Sequence, residues 1–254
     1  STQKFNSLVP VLNTIPGVRM EERSPGSYRL SIRGSLLRSP FGIRNIKIYF
    51  DEFPLTDAGG NSYLNAIPAE AVNRIEILKG PDGSLFGANS GGVVTLFSPR
   101  NKNGISAEIA GGSFGLFKES ERYSHANEKN DFTVLQGYYV NEGYRKNSRM
   151  RRFYLQGSNN WRYTKKNELS LLFFSSSLYY QTPGGLNKAQ FQQDPRQARQ
   201  PTATLPGAED QKAAVYNDML FGGITHSSQI SKYVKHVISL FASSVDFRNP
   251  FITN

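Results

Sequence analysis

The stretch NRIEILKGPDGSLFGANSGGVV, residues 73–94, decides the fold of the N-terminal hundred residues. Ile75 and Ile77 alternate with Arg74, Glu76 and Leu78, the pattern of a short strand. Gly80-Pro81 stops it. Residues 82–92 (DGSLFGANSGG) are glycine-rich, and VVTLF (93–97) reads as a closing strand. Gly80, Gly83, Gly87, Gly91 and Gly92 permit backbone with positive φ and close approach to a neighbouring wall. The spacing of Gly80, Gly83 and Gly87 superficially suggests a phosphate loop. No Gly-Lys-Ser/Thr follows it, and Gly83 opens no clear helix, so nucleotide binding is set aside.

Working outward, RNIKIYF (44–50) alternates with Ile46, Ile48 and Phe50 in phase, and Asp51-Glu52-Phe53-Pro54 breaks it. YRLSIRG (28–34) places Leu30 and Ile32 on one face. Segment 5–15 ends at the turn Pro16-Gly17. PAEAVN (68–73) has Pro68 at a helix N1 position and Glu70 in the first turn. These signals predict an α+β unit over residues 1–100, with a small mixed sheet built from 28–33, 44–50, 74–78 and 93–97.

Composition narrows the function classes. The 254 residues carry 30 Lys+Arg against 20 Asp+Glu, a net charge of +10, with no Cys. A disulfide scaffold, a thiolate metal site and a Cys nucleophile are thereby excluded. His125, His226 and His236 are too far apart for a short-spaced metal motif, and neither a cofactor nor a resident metal is expected. The basic residues are scattered, with no run longer than Arg151-Arg152 or Lys165-Lys166, which argues against nucleic acid. Mean hydropathy is −0.47 with 12 % aromatics, low for a globular core but not disordered. No run of 18 apolar residues exists, so no transmembrane helix is expected; a transmembrane β-barrel hides its apolar residues at alternate positions and stays open as a reading. The chain starts at Ser1 without Met or an apolar signal run, and is expected to be processed or a cut piece.

From Gly104 onward the texture changes to aromatic-rich alternating segments separated by turn residues. In 151–163, Phe153, Leu155, Trp161 and Tyr163 share one parity, and Arg152, Tyr154, Gln156, Ser158, Asn160 and Arg162 the other. That parity predicts Phe153, Leu155, Trp161 and Tyr163 on the lipid side, because a charge facing lipid costs about 2–4 kcal/mol near the midplane. Segment 132–140 repeats the theme, and 105–113 sets Ile105, Ala107 and Ile109 against Ser106 and Glu108. Segments 168–180, 214–228 and 233–247 are apolar but alternate poorly; 117–126 is polar throughout. Seven strands over residues 104–254 are expected. The joints near 127–130, 164–167 and 231–232 are short, whereas 181–212 is long, and such alternation belongs to an outer-membrane barrel. Tyr163, Tyr179, Tyr180 and Tyr233 suit interfacial girdles. A soluble all-β domain is the competing reading of this half alone.

VLNTIPGV (11–18), RLSIRG (29–34), IKIYFDEFPLTD (46–57) and NRIEILKGPDGSLFGANSGGVV (73–94), in this order and spacing, resemble the plug domain of a TonB-dependent outer-membrane receptor. The match covers nearly all of residues 8–96. Residues 38–57 lean toward the siderophore and ferric-citrate branch. Glu52 stands where the family has Gly, Phe86 where it has Tyr, and no TonB box is recognisable before Phe5. The resemblance implies an α+β plug followed by antiparallel strands of a transmembrane β-barrel in the bacterial outer membrane. It implies a receptor that takes up a scarce solute, such as a ferric chelate, and no enzyme; no catalytic constellation is seen. The implied partners are the TonB–ExbB–ExbD complex, outer-membrane lipid and the solute. A surface adhesin or a scaffold subunit is the alternative. Arg38, Phe41, Arg44, Asp57 and Asn61 fall on loops that the family turns outward to ligand, where guanidinium groups suit an anionic chelate. Arg33, Arg74, Glu76 and Lys79 are read as plug–barrel charge contacts or as solvated interior charges. Gly80, Pro81, Gly87, Gly91 and Gly92 form the plug's glycine motif. Plugged barrels use about 22 strands, so the rest of the wall is expected beyond Asn254 or in another chain.

Overall fold

The computed structural model describes residues 7–24, 26–35, 42–80, 86, 91–100 and 103–250. The chain starts with α1 (Val9–Asn13), a single turn with Pro at its start. Then β1 (Val18–Ser24) and β2 (Ser27–Ile32) pair antiparallel as a two-stranded sheet of their own. β3 (Lys47–Phe50), β4 (Phe53–Pro54), β5 (Arg74–Leu78) and β6 (Val93–Phe97) form a second sheet in the order β4-β3-β6-β5. In it β3 and β6 run parallel and β5 and β6 antiparallel, so the mixed sheet expected from sequence is present. Segment 28–33 is not part of it. Its partner is β1, whose sequence VRMEERS carries too few apolar residues to signal a strand. The helix expected at 68–73 is only a 3-10 turn, Ala69–Ala71, with Pro68 as its cap residue. Asn73 N–H already donates to Phe97 O at 2.8 Å, which draws the chain into the sheet before a second turn can form.

Seven further strands follow, β7 (Gly104–Gly112), β8 (Leu116–Ala126), β9 (Asn130–Asn141), β10 (Met150–Trp161), β11 (Asn167–Gln181), β12 (Ala214–Gln229) and β13 (Lys235–Arg248). Each pairs antiparallel with its sequence neighbour, giving one curved wall in chain order. At one end all three turns, 127–129, 162–166 and 230–234, are short; at the other lie the tight turn 113–115 and the longer 142–149 and 182–213. Short turns face the periplasm in such walls and long loops face outward. Parity holds along β10: Arg152, Tyr154, Gln156, Ser158 and Asn160 are buried on the inner side, while Phe153 and Trp161 are 41 % and 49 % exposed on the outer side.

The long outer loop 182–213 is ordered. Asn187 and Gln190 close a capping box at the start of α2 (Lys188–Gln193). Loop 142–149 pins it: Lys146 N–H donates to Arg196 O at 2.7 Å, and Asn147 Nδ2 donates to Thr182 O and Ala213 O at 3.1 and 2.9 Å.

Plug and wall share one apolar core. Phe50 and Phe53 of the plug meet Phe174 and Phe221 of the wall at ring separations of 5.9 and 5.6 Å. Phe221 stacks on Phe174 at 5.1 Å, and Phe174 on Tyr154 at 5.9 Å. Burying each such ring contributes about 1.5–3 kcal/mol. Phe53 can enter the wall only because residue 223 is glycine: a Cβ there would stand 2.6 Å from Phe53 Cε1. Polar contacts complete the joint. Arg152 Nη1 donates to Asn65 O at 3.3 Å and Ser176 Oγ to Ala66 O at 2.8 Å, so the wall satisfies the carbonyls left open by the 3-10 turn Leu64–Ala66. Lys118, buried on β8, lies 3.5 Å from Glu70 of the plug and 3.6 Å from Glu108 of β7.

Two outcomes follow from this joint. Gly223→Val should expose the plug to protease and lower its unfolding temperature, and Phe53→Ala should do the same, each through a loss of aromatic packing of about 3–5 kcal/mol. Gly222→Val, one residue away with nothing within 4 Å of its Cβ position, should be tolerated. Lys118→Met leaves two carboxylates facing each other unpaired and should cost about 3–5 kcal/mol, read by thermal unfolding in detergent.

Candidate functional site

The outer end of the plug is a loop cluster between β4 and the 3-10 turn at Leu64–Ala66. Asp57 Oδ1 accepts from Asn61 N–H at 2.9 Å, and Asp57 N–H donates to Asn61 O at 2.9 Å. This side-chain-to-backbone closure is what makes Asp a turn former. Arg44 reaches across from the loop before β3, its Nε donating to Asn61 Oδ1 at 2.8 Å and its Nη2 to Gly59 O at 3.3 Å. An antiparallel bridge between Ile43 and Ser62 holds the two loops in register. Beneath it Thr56 and Ser62 share a hydroxyl hydrogen bond at 2.7 Å. Arg44, exposed, and Asp57 and Asn61, half-buried, thus form one cluster. Its guanidinium uses only one edge for the loop, so nitrogens remain for an anion.

Tyr63 ties this cluster to the wall. Its ring lies 5.6 Å from Phe247 at the outer end of β13. Burial raises the Tyr63 phenol above its usual range; Asp57 raises it further, and Arg44 opposes both. Tyr63 therefore stays a neutral hydrogen-bond donor at physiological pH. Sequence reading did not single it out, although an aromatic six residues after Asp57 on an outward loop was the available signal.

Arg38, Phe41, Pro81 and Gly87 lie outside the described residues, as does Gly83. The rest of the glycine motif surrounds the β3 entry. A Cβ on Gly91 would stand 2.1 Å from Asn45 O, so only glycine allows Gly91 N–H to donate to that carbonyl at 3.0 Å. Gly80 and Gly92 have φ of 127° and 121°. Phe86 packs edge-on against Tyr49 at 5.1 Å, a contact that needs no hydroxyl. Glu52 follows Asp51, which takes a positive φ of 50°, and faces Arg100 at 3.5 Å.

The four plug charges sit differently from the cluster. Arg74 and Glu76 pair with each other at 2.5 Å on the exposed edge strand β5, and Arg74 also covers the Phe97 ring at 4.1 Å. Lys79 Nζ donates to Pro16 O at 2.5 Å. Arg33 has φ of 52° beside Gly80. Among the described residues, charged side chains join plug and wall where Glu70 meets Lys118 and where Arg152 donates to the Asn65 carbonyl. Glu70 appeared in the sequence only as a helix-start acid; an isolated Lys118 at an inward position was the missed signal.

Comparison with known proteins agrees with this geometry. The TonB-dependent Receptor Plug Domain family matches residues 1–94. The Vitamin B12 transporter BtuB of Vibrio vulnificus (strain CMCP6) is 26 % identical over 110 residues, 42 % of this chain and 17 % of that protein. Among solved structures, the ferric citrate transporter FecA in its unliganded form superposes with a TM-score of 0.76 at 17 % identity, over 94 % of this chain and 37 % of that one. The ferric yersiniabactin uptake receptor FyuA of Yersinia pestis gives 0.73 at 13 % identity, over 95 % and 39 %. The chain thus spans well under half the length of each of these proteins. With residues 1–94 matched by the plug-domain family and the wall matched by fold alone, the chain resembles the plug and opening barrel strands of the TonB-dependent outer-membrane receptors.

Proposed function

We propose that this chain serves energy-dependent uptake of an anionic ferric chelate, bound at the outer face of the plug and released to the periplasm when the TonB–ExbB–ExbD complex rearranges the plug. The observation that carries this reading is the Arg44–Asp57–Asn61 cluster at the outer end of the plug, its Arg44 exposed, braced on the wall through Tyr63 and Phe247. A guanidinium held by one edge presents its remaining N–H groups in fixed geometry to a carboxylate or catecholate oxygen. Arg38 and Phe41, six and three residues before Arg44 in the sequence, join this proposal as further contacts. Receptors for ferric citrate and ferric yersiniabactin share this fold, which accords with an iron chelate, while the Vibrio vulnificus relative carries vitamin B12.

The rest of the plug fits the same reading. Arg74 and Glu76 stand on β5, the edge of the plug sheet farthest from the aromatic contact with the wall. We take them, with Arg33 and Lys79, as groups for wall strands beyond the seven described. The backbone edges of β7 and β13 call for such strands, since an open sheet edge is not viable in hydrocarbon. Arg44→Ala should weaken binding of ferric citrate or the cognate ferric siderophore to the purified receptor more than tenfold, about 1.4 kcal/mol, with the unfolding temperature little changed. Uptake of radiolabelled iron chelate that vanishes without TonB is the matching cellular result. Equal affinity in Arg44→Ala, or uptake indifferent to TonB, would contradict the proposal.

A further inference from the structure

The inner side of the wall carries a concentration of positive charge at the periplasmic end, away from the Arg44 cluster. Strand parity fixes which way it faces. Glu168 and Ser227 are register partners, and so are the buried Ser170 and Thr225 one step along the same row, so all four point to the plug side. Lys235 is the partner of Gln229, two residues past Ser227, and shares that side. Arg162 continues the inner row of β10 beyond Asn160. With Lys129, Lys165 and Lys166 on the first two short turns, these residues line a groove of about 560 Å³. Trp161 and His226 stand on the opposite parity, toward lipid.

Five cations, Lys129, Arg162, Lys165, Lys166 and Lys235, line the groove against two carboxylates, Glu128 and Glu168. Glu168 is taken by Arg162 at 3.8 Å, and Arg162 is fixed by donating to the carbonyls of Glu128 and Asn127 at 2.9 and 3.0 Å. Among the described residues the four groove lysines form no ion pair. Glu168 also acts on the plug: burial lowers the Arg100 guanidinium, and Asp51, Glu52 and Glu168 together outweigh it and hold that group above its usual range. Further up the same inner row stand Asn160 and Gln156, 4 % and 1 % exposed. Asn160 Oδ1 and Gln156 Nε2 are buried without a hydrogen-bond partner. Such groups favour a polar guest over an apolar one. A polar row between plug and wall thus ends at a basic groove.

We propose that this groove is a second anion site, which receives the negatively charged ferric chelate after it has passed the plug; the proposal rests on the uptake reading given above. A cleft lined by one sign of charge between low-dielectric walls raises the local concentration of the opposite sign. A multivalent anion relieves the repulsion among several lysines at once. The volume lies within the range of small-molecule sites, about 300–1,000 Å³, and the plug-side position keeps leaflet lipid out. The lysines are exposed, so salt screens them and the site holds its anion weakly, as release requires.

The test titrates ferric citrate, as the probe, into the intact receptor in detergent, where the groove meets solvent directly. Wild type should bind at two sites, the weaker one suppressed by high salt. The combined K129Q, K165Q, K166Q and K235Q variant should weaken that second site about tenfold and keep the first. Arg44→Ala should do the reverse, and K188Q, at the outer end, should keep both. A weaker site absent from wild type, or unchanged in the fourfold variant, would overturn the proposal and leave the outer cluster standing. A lysine-dependent site with no Arg44-dependent one would overturn the outer cluster instead. Equal loss in K188Q would overturn the proposal in favour of unspecific charge, and complete displacement by millimolar inorganic phosphate in favour of a general oxyanion site. In cells the fourfold variant should lower the maximal rate of chelate uptake at an unchanged half-saturating concentration. An unchanged maximal rate would contradict the groove's part in release.

Discussion

A column of aromatic rings runs from the plug into the wall, and the rest of the molecule is arranged around it. Phe53 enters at Gly223 and lies 5.6 Å from Phe221 and 6.2 Å from Phe241; Phe221 stacks on Phe174, which meets both Tyr154 and Phe50. The rings come from two plug strands and four wall strands. Once they interdigitate, the plug sheet has one orientation against the wall. β5 is turned away, the loop 57–61 is carried to the outer end, and the 3-10 turn at Leu64–Ala66 is brought under Arg152 and Ser176. The cluster that faces the outside is thus positioned by packing several strands below it.

The same column explains where sequence patterning succeeds and where it fails. In β10 the inward positions are mostly polar, because Arg152, Gln156, Ser158 and Asn160 flank the column rather than fill it, so alternation is plain in the sequence. In β11 and β12 the inward positions hold Leu172, Phe174, Leu178, Met219 and Phe221. There both faces are apolar, one for lipid and one for plug, and period-two contrast disappears. β8 shows the opposite failure: its inward face is polar, with Lys118 answering Glu70 and Glu108, and Glu119 and Glu121 interrupt Phe117 and Tyr123 on the other. All seven strands could still be placed from their turns. In the plug, β3, β5 and β6 were visible from alternation, whereas β1 was not, since pairing with β2 and not its own apolar content makes it a strand. Of the outer cluster, Arg44, Asp57 and Asn61 were reachable through family resemblance; Tyr63 and the Glu70–Lys118 pair depend on contacts between segments far apart in the chain, which no local pattern encodes.

Polar and apolar parts of the joint differ in what separation costs. A hydrogen bond such as Ser176 to Ala66 exchanges for water at a net of about 0.5–1.5 kcal/mol. The aromatic column has no such substitute: withdrawing Phe53 leaves apolar surface and an unfilled slot at Gly223. Any separation of plug and wall therefore has to draw Phe50 and Phe53 out of their seats against the wall rings.

A double-mutant cycle between plug and wall tests this most directly. Phe53→Leu and Phe221→Leu, alone and combined, are measured by thermal unfolding of the receptor in detergent. Rings that act as one column should show a coupling of about 0.5–1.5 kcal/mol beyond area burial. Losses that add within about 0.3 kcal/mol would mean that the two rings are independent, and that the plug is held to the wall by other contacts.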